Sequence, residues 1–189
     1  MGNREDLLAG ARTCLFDKGF ARTTVRDIAT AAGVSMAAIG YHFGSKEALL
    51  TAALTAATRE WGDELARALA ATDITDPDAL RRFTARWDAV RESIADHRGV
   101  WAATFDALSH PDSRARLAAT MPEARAGLAR LFGGGDTEQD RTAGLVYQAL
   151  LIGVAAQYLI DPETAPTASD LADGLRRITG AGGRVGSGT

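Results

Sequence analysis

A single cysteine, Cys14, rules out an intramolecular disulfide, and its apolar helical neighbours mark it as a small core residue rather than a nucleophile. Histidine is nearly as scarce. His42, His97 and His110 are scattered, without the spacing that gathers metal ligands and without a Ser-His-acid pattern in a strand-turn context. Long alternating runs of β-branched residues are missing, while Ala, Leu, Arg and Thr recur throughout, which favours helix over sheet. No phosphate loop is present. Gly133, Gly134 and Gly135 follow no strand pattern and precede no Lys-Ser/Thr pair, so they read as a flexible joint. These absences argue against an enzyme, and no cofactor or metal is expected.

Strong charge of one sign is lacking too. The net charge of -3 does not advertise a nucleic-acid binder, but its distribution is uneven. Residues 1–50 hold six Lys and Arg against five Asp and Glu, while the remainder carries 15 against 19. The sign of that difference suits an N-terminal segment that meets DNA. The N-terminus is charged and has no apolar core of a secretion signal. The longest apolar stretch, Ala143 to Ile160, is interrupted by Tyr147, Gln148 and Gln157 and contains two glycines, and it reads as a buried helix rather than a membrane span. A cytoplasmic chain with no membrane partner is the expectation.

What the sequence does contain is a run of helix signals. Leu7, Leu8, Ala11, Leu15 and Phe16 recur three and four apart and predict a first helix from about Arg4 to Lys18, with Gly19 set for a left-handed cap. Thr24 can cap a second helix over 25–32, Asp27 can complete a capping box, and Gly33 ends the segment. Ser35 should cap a third helix reaching about His42, and Ser45 a long fourth. The fourth carries Leu49, Leu50, Ala53, Leu54, Ala57, Trp61, Leu65 and Leu69 on one stripe and ends near Thr72.

Asp76-Pro77 reads as an N-cap followed by proline at the first helical position. The fifth helix then shows Leu80, Phe83, Trp87, Val90 and Ile94. Gly99 marks a break before a short sixth helix, and His110-Pro111 starts a seventh that Pro122 should kink or divide. An eighth helix over 137–160 and a ninth over 168–179 complete the series. Residues 181–189 are Gly-rich and read as a disordered tail.

The segment from Thr24 to Phe43 has helix-turn-helix logic. Two short helices must cross closely, and Ala29 supplies the small contact residue. The turn needs positive φ, and Gly33 supplies it. Ile28, Ala32, Val34, Ile39 and Phe43 give an apolar seam against the first helix, so the second short helix is free to enter a major groove. Three blocks make the pattern specific: Lys18 to Ala29, Ala32 to Ser35, and Tyr41 to Leu50. Together they resemble the DNA-binding domain of TetR-family transcriptional regulators over roughly residues 4–55.

That resemblance implies an all-α protein of about nine helices: a three-helix DNA-binding domain over 1–47, then a helical ligand-binding and dimerisation domain over 48–180. It implies that Thr24, Tyr41 and Lys46 anchor DNA phosphates. It places Ser35, Met36, Ala37, Ala38, Gly40 and His42 on the groove-facing stretch. His42 is open between base readout and a phosphate or solvent contact. Arg22 and Arg26 can add polar contacts, or be solvated surface charges. The recognition helix has no Arg, Lys, Asn or Gln, the usual bidentate base readers. Specificity would then lean on methyl contacts, close backbone approach at Gly40 and DNA shape.

The family pattern also implies a sensor half. The eighth helix is apolar nearly all round, which calls for burial on more than one side. Leu145, Ala149, Ile152, Gly153 and Ala156, with Leu171, Leu175 and Ile178 of the ninth helix, are the expected homodimer interface. A purely intramolecular core is the alternative. Trp61, Phe83, Trp87, Trp101, Thr104, Phe105, Met121, Tyr147 and Gln148 are candidates to line a largely apolar cavity for an unidentified small-molecule effector, with His97 and His110 as further polar candidates. Ordinary core packing is the competing reading for most of them. The functional expectation is a repressor that binds a palindromic double-stranded DNA operator as a homodimer and is released by an apolar or aromatic effector. The alternative is a helical ligand-binding or scaffold protein with little specific DNA affinity.

Overall fold

Three helix starts share one local device. Thr24, Thr137 and Thr167 take extended backbone and accept the N–H three residues on, while Asp27, Asp140 and Asp170 reach back to the threonine N–H. Each reciprocal box satisfies donors that helix geometry otherwise leaves free. Ser45 caps a fourth helix start by accepting from the Ala48 N–H at 3.0 Å. Gly33 closes its helix in the left-handed region at φ 67°, as the tight turn requires.

The computed structural model describes residues 3–72, 75–135 and 137–180, and among these the chain forms nine helices and no strand. They are α1 (Asn3–Lys18), α2 (Val25–Ala32), α3 (Met36–Phe43), α4 (Lys46–Ala70), α5 (Ala79–Asp96), α6 (Arg98–Ala107), α7 (Pro111–Leu131), α8 (Glu138–Ile160) and α9 (Ala168–Thr179). The tail expected over 181–189 lies outside the described residues.

Three expectations about helix limits need correction. The N-cap of α5 is Asp78, not Asp76. The Asp78 carboxylate accepts the N–H groups of Leu80 and Arg81, while Asp76 accepts from the Asp78 N–H and pairs with Arg81. Gly99 does not break the chain; the break is at His97, and Gly99 sits inside α6. A Cβ there would lie 3.3 Å from the Phe16 ring, so the missing side chain serves close packing of α6 on α1. Pro122 does not divide α7, which runs unbroken to Leu131. Proline frees the Ala118 carbonyl, but Ala118 and Pro122 are both exposed, where water can take that acceptor.

Two apolar clusters organise the chain. The first gathers Leu7, Ala11, Leu15, Phe20, Ile28 and Ile39 around Leu49, Leu50 and Leu54 of α4, and takes in Ala103 and Ala107 of α6. Leu49 and Leu50 are fully buried, worth about 1.5–3 kcal/mol each. The second gathers Trp61, Leu65, Leu69, Trp87, Val90, Ile94, Trp101, Leu128, Leu151 and Val154. Helices α4 and α6 contribute to both clusters, so each links the α1–α3 head to the larger helical body. Helix α8 is long and apolar enough to cross a membrane by length and composition. Here one side of it packs into the second cluster, and its buried Gln148 pairs with Arg125 of α7 at 2.8 Å.

Candidate nucleic-acid interface and ligand cavity

The head is built so that α3 stands outward. Ile39 is buried against the first cluster at 2% exposure, which turns Met36, Ala37, Gly40 and Tyr41 to the surface. Met36 is half-exposed and Tyr41 is 86% exposed, with its ring edge-on to His42 at 4.9 Å. Arg22, Arg26 and Ser35 are exposed, and His42 is partly so. One expectation fails here. Ala38 is 8% exposed and belongs to the first cluster, because its position on α3 faces inward beside Ile39. Its methyl group is core.

Of the phosphate-anchor candidates, Thr24 and Lys46 lie at the α2 and α4 N-termini and Tyr41 on α3, and their donors are unequally free. Thr24 spends both its N–H, at 2.9 Å, and its hydroxyl, at 2.7 Å, on Asp27. Helix geometry leaves the N–H groups of Val25 and Arg26 without intrahelical partners, and these are the donors α2 offers outward. Asp27 also accepts from Lys18 at 2.6 Å. Lys18 first, and then Thr24, hold its carboxyl well below the usual carboxylate range, and the same contact raises Lys18. Lys46 donates to the Thr23 carbonyl at 3.0 Å, which ties the start of α4 to the lead-in of α2. Ser35 stands at the α3 N-cap with extended backbone, but its hydroxyl makes no capping bond, contrary to the capping role expected of it.

Behind the head, α4, α6, α7 and α8 enclose a cavity of about 470 Å³. Trp61, Trp101, Thr104, Phe105, Met121 and Gln148 line it. Trp61 and Trp101 meet edge to face at 5.0 Å, and the Trp61 indole N–H donates to Ser93 at 2.9 Å. Gln148 accepts from Arg125 and donates to the Met121 sulfur at 3.2 Å. Phe83, Trp87 and Tyr147 do not line the cavity. They pack with Phe132 in a separate aromatic chain, with ring spacings of 5.8, 5.7 and 4.2 Å along the order Phe83, Trp87, Phe132, Tyr147. Burial also pushes the Tyr147 phenol upward. His97 and His110 are elsewhere as well. His97 bridges Glu64 at 2.8 Å, and the His110 ring sits 4.4 Å from the Phe20 ring.

The cavity wall holds more polar groups than the sequence suggested. Thr51, Thr55, Thr58 and Thr104 all line it, and their hydroxyls donate to carbonyls one turn back at 2.7–2.9 Å. Each therefore offers an occupant acceptor lone pairs rather than a spare proton. Arg59, Asp63, Arg116 and Glu123 add charge to the lining. The missed signal was the row Thr51, Thr55, Thr58, Gly62. Its spacing of four, three and four residues marks one face of α4 beside the apolar stripe.

Residues 7–53 match the family model of bacterial regulatory proteins, tetR family. The transcriptional regulator TtgR of Pseudomonas putida is 42% identical over 74 residues, covering 39% of this chain and 35% of that protein. The transcriptional repressor AcnR of Corynebacterium efficiens is 42% identical over 52 residues, 28% of each chain. The multidrug binding protein EbrR, solved with imidazole, superposes with a TM-score of 0.64 at 25% identity, over 98% of this chain and 92% of its own. Over residues 7–53, then, the chain is similar to the tetR family.

The match to TtgR spans about a third of that relative's length, and the family match falls on the head. Likeness to EbrR extends over the whole helical body. The head was therefore the readable part of this chain. Its contacts with α6 were not. Asp106 accepts the Phe20 N–H at 2.5 Å and the Ala21 N–H at 3.4 Å, and no local signal marks a carboxylate that binds 85 and 86 residues away.

Proposed function

We propose that this chain is a ligand-responsive repressor of the tetR family that binds a palindromic DNA operator as a homodimer and leaves it when an apolar or aromatic molecule fills the cavity. The observation that carries this reading is α4. It runs without a break from the head, where Lys46 holds Thr23, to the cavity, where Thr51, Thr55, Thr58 and Trp61 line the wall. A tilt of this helix would move the two recognition helices of a dimer away from successive major grooves, which lie about 34–36 Å apart. In this division of labour the head up to residue 47 reads DNA and residues 48–180 bind effector and partner, in a cytoplasmic protein.

Several features support the parts. The exposed α3 surface and the adjacent α2 N-terminus suit a duplex, with Arg22, Arg26, Tyr41 and Lys46 as backbone contacts and Met36, Ala37, Gly40 and His42 facing the groove. EbrR, of the same fold, has been solved with proflavin, a flat aromatic molecule. Helix α8 leaves Leu145, Ala149 and Ile152 exposed along one face, and Ile178 of α9 is 84% exposed. A Cβ at Gly153 would meet nothing within 4 Å, so the face is open to a second copy.

A gel-shift assay on DNA upstream of the chain's own gene, with a salt titration, tests the DNA half. A sequence-specific shift whose log affinity falls linearly with log salt is the expected result. No specific shift from the folded, ligand-free chain would overturn the repressor reading in favour of a scaffold.

A further inference from the structure

Helix α6 has two working sides within two turns. Trp101, Thr104 and Phe105 line the cavity, with Leu108 just past the helix end. From between them Asp106 reaches the corner between α1 and α2, where it takes the Phe20 and Ala21 N–H groups. The corner is shaped to receive it. Gly19 stands at φ 82°, and a Cβ there would lie 3.0 Å from the Asp106 carboxylate oxygen, so a side chain would be strained and crowded at once. Phe20 is fully buried, and His110, just after α6, closes on its ring at 4.4 Å. On the same flank Ala103 and Ala107 belong to the head's own core, and Gly99 lets α6 approach Phe16.

We infer that Asp106 is a positioning residue that couples the cavity to the DNA-binding head, a second linkage beside α4. The inference rests on the repressor reading above. An occupant that shifts Trp101, Thr104 or Phe105 moves α6 as a packed unit, and Asp106 carries that shift to the backbone just ahead of α2. The contact has two properties that suit it to this. It grips backbone N–H groups, so it moves the main chain rather than a flexible side chain. A carboxylate on two N–H groups is also a charge-assisted bond, stronger than a neutral one.

The test compares wild type, Asp106→Ala and Asp106→Asn as full-length chains. The DNA is a duplex selected by the wild type from a randomised pool, and proflavin is the probe. Three quantities are read: proflavin affinity by its fluorescence, operator affinity by anisotropy, and the ratio of operator affinities without and with saturating proflavin. For wild type a ratio of about 10 or more is expected, within the usual range for coupled sites of about 5–150-fold. Asp106→Ala should bind proflavin within about twofold of wild type, yet its ratio should fall below about 3. Asp106→Asn, which keeps an acceptor and the shape, should fall between. A merely structural role would lower stability or operator affinity and leave the ratio unchanged.

Hydrogen exchange at Phe20 and Ala21 is the second measurement. Proflavin should change their protection in wild type and not in Asp106→Ala. A wild-type ratio retained in a folded Asp106→Ala chain, or no proflavin effect on exchange at Phe20 and Ala21 in wild type, overturns the inference while leaving the repressor reading intact. A wild-type chain that binds no operator, or whose operator affinity ignores bound proflavin, overturns both.

Discussion

Asp27 shows how much one side chain can organise at the end proposed to face DNA. It completes the α2 capping box and pairs with Lys18 of α1, so it fixes both the start of α2 and its seating on α1. Its carboxyl is lowered from an ordinary value of 3.8 by Lys18 and Thr24. A lowered carboxyl stabilises the fold fully above the unfolded value, and that share is lost as pH falls towards the folded value. Lys18, raised above 10.5 by the same contact, contributes below its unfolded value and loses its share as pH rises past the folded one. The difference in melting temperature between wild type and Asp27→Asn should therefore be flat from about pH 5 to 9 and shrink by about pH 3. A gap that widened on acidification would contradict this sign. The proposed phosphate anchors make a separate prediction. Lys46→Gln should weaken binding to all duplexes alike and reduce the salt slope by about 1. An unchanged slope would remove Lys46 from the phosphate contacts.

Among the elements, close helix contacts depend on residues that have no side chain to clash. A Cβ at Gly144 of α8 would lie 2.4 Å from the Arg125 carbonyl of α7, and one at Gly10 of α1 would lie 2.8 Å from the Ala32 nitrogen of α2. Alanine improves helix propensity by about 1 kcal/mol over glycine. Against that, forcing a methyl group into a packed backbone contact costs about 1–3 kcal/mol. Gly144→Ala should thus lower stability, read as the denaturant midpoint, by about 1 kcal/mol or more. Gly62 offers the control. It lies inside α4 with nothing within 4 Å of its built Cβ, so Gly62→Ala should be neutral or stabilising.

These contacts also show where sequence reading stops. Thr24 with Asp27, Gly33 and Ser45 act within three or four residues, and their roles were legible from spacing alone. The Gly10–Ala32, Gly99–Phe16 and Asp106–Phe20 contacts join positions 22, 83 and 86 residues apart. Nothing local names such partners. The aromatic side chains fall between these cases. Their concentration in α4 to α8 was plain, but Trp101 and Phe105 at the cavity look the same in sequence as Trp87 and Phe83 in solid core. Ala38 was misplaced because a helix with few polar residues gives little contrast between its faces.

For the whole molecule the question is what covers α8. Its inner side holds Gln148, Leu151, Val154 and Ala155 in the core, so the apolar residues left outside are surplus to the monomer's own packing. Leu145 is 47% and Val146 50% exposed, and Ile152 is both exposed and part of the cavity lining. A second copy on this face would bury the surplus and bring its backbone close at Gly153 and Ala156. A guanidinium placed there would have to be buried without a partner, which a symmetric interface makes doubly costly because the same change occurs on both sides. Gly153→Arg should therefore yield a folded monomer, since its built Cβ meets nothing within the chain. Light scattering should report half the wild-type mass, with helix content by circular dichroism unchanged. Operator affinity should fall at least tenfold, because one head alone reads one half-site. A wild-type chain that is itself monomeric would place the surplus face elsewhere. A Gly153→Arg chain that stays dimeric and keeps its operator affinity would show that the two-fold contact lies off this face.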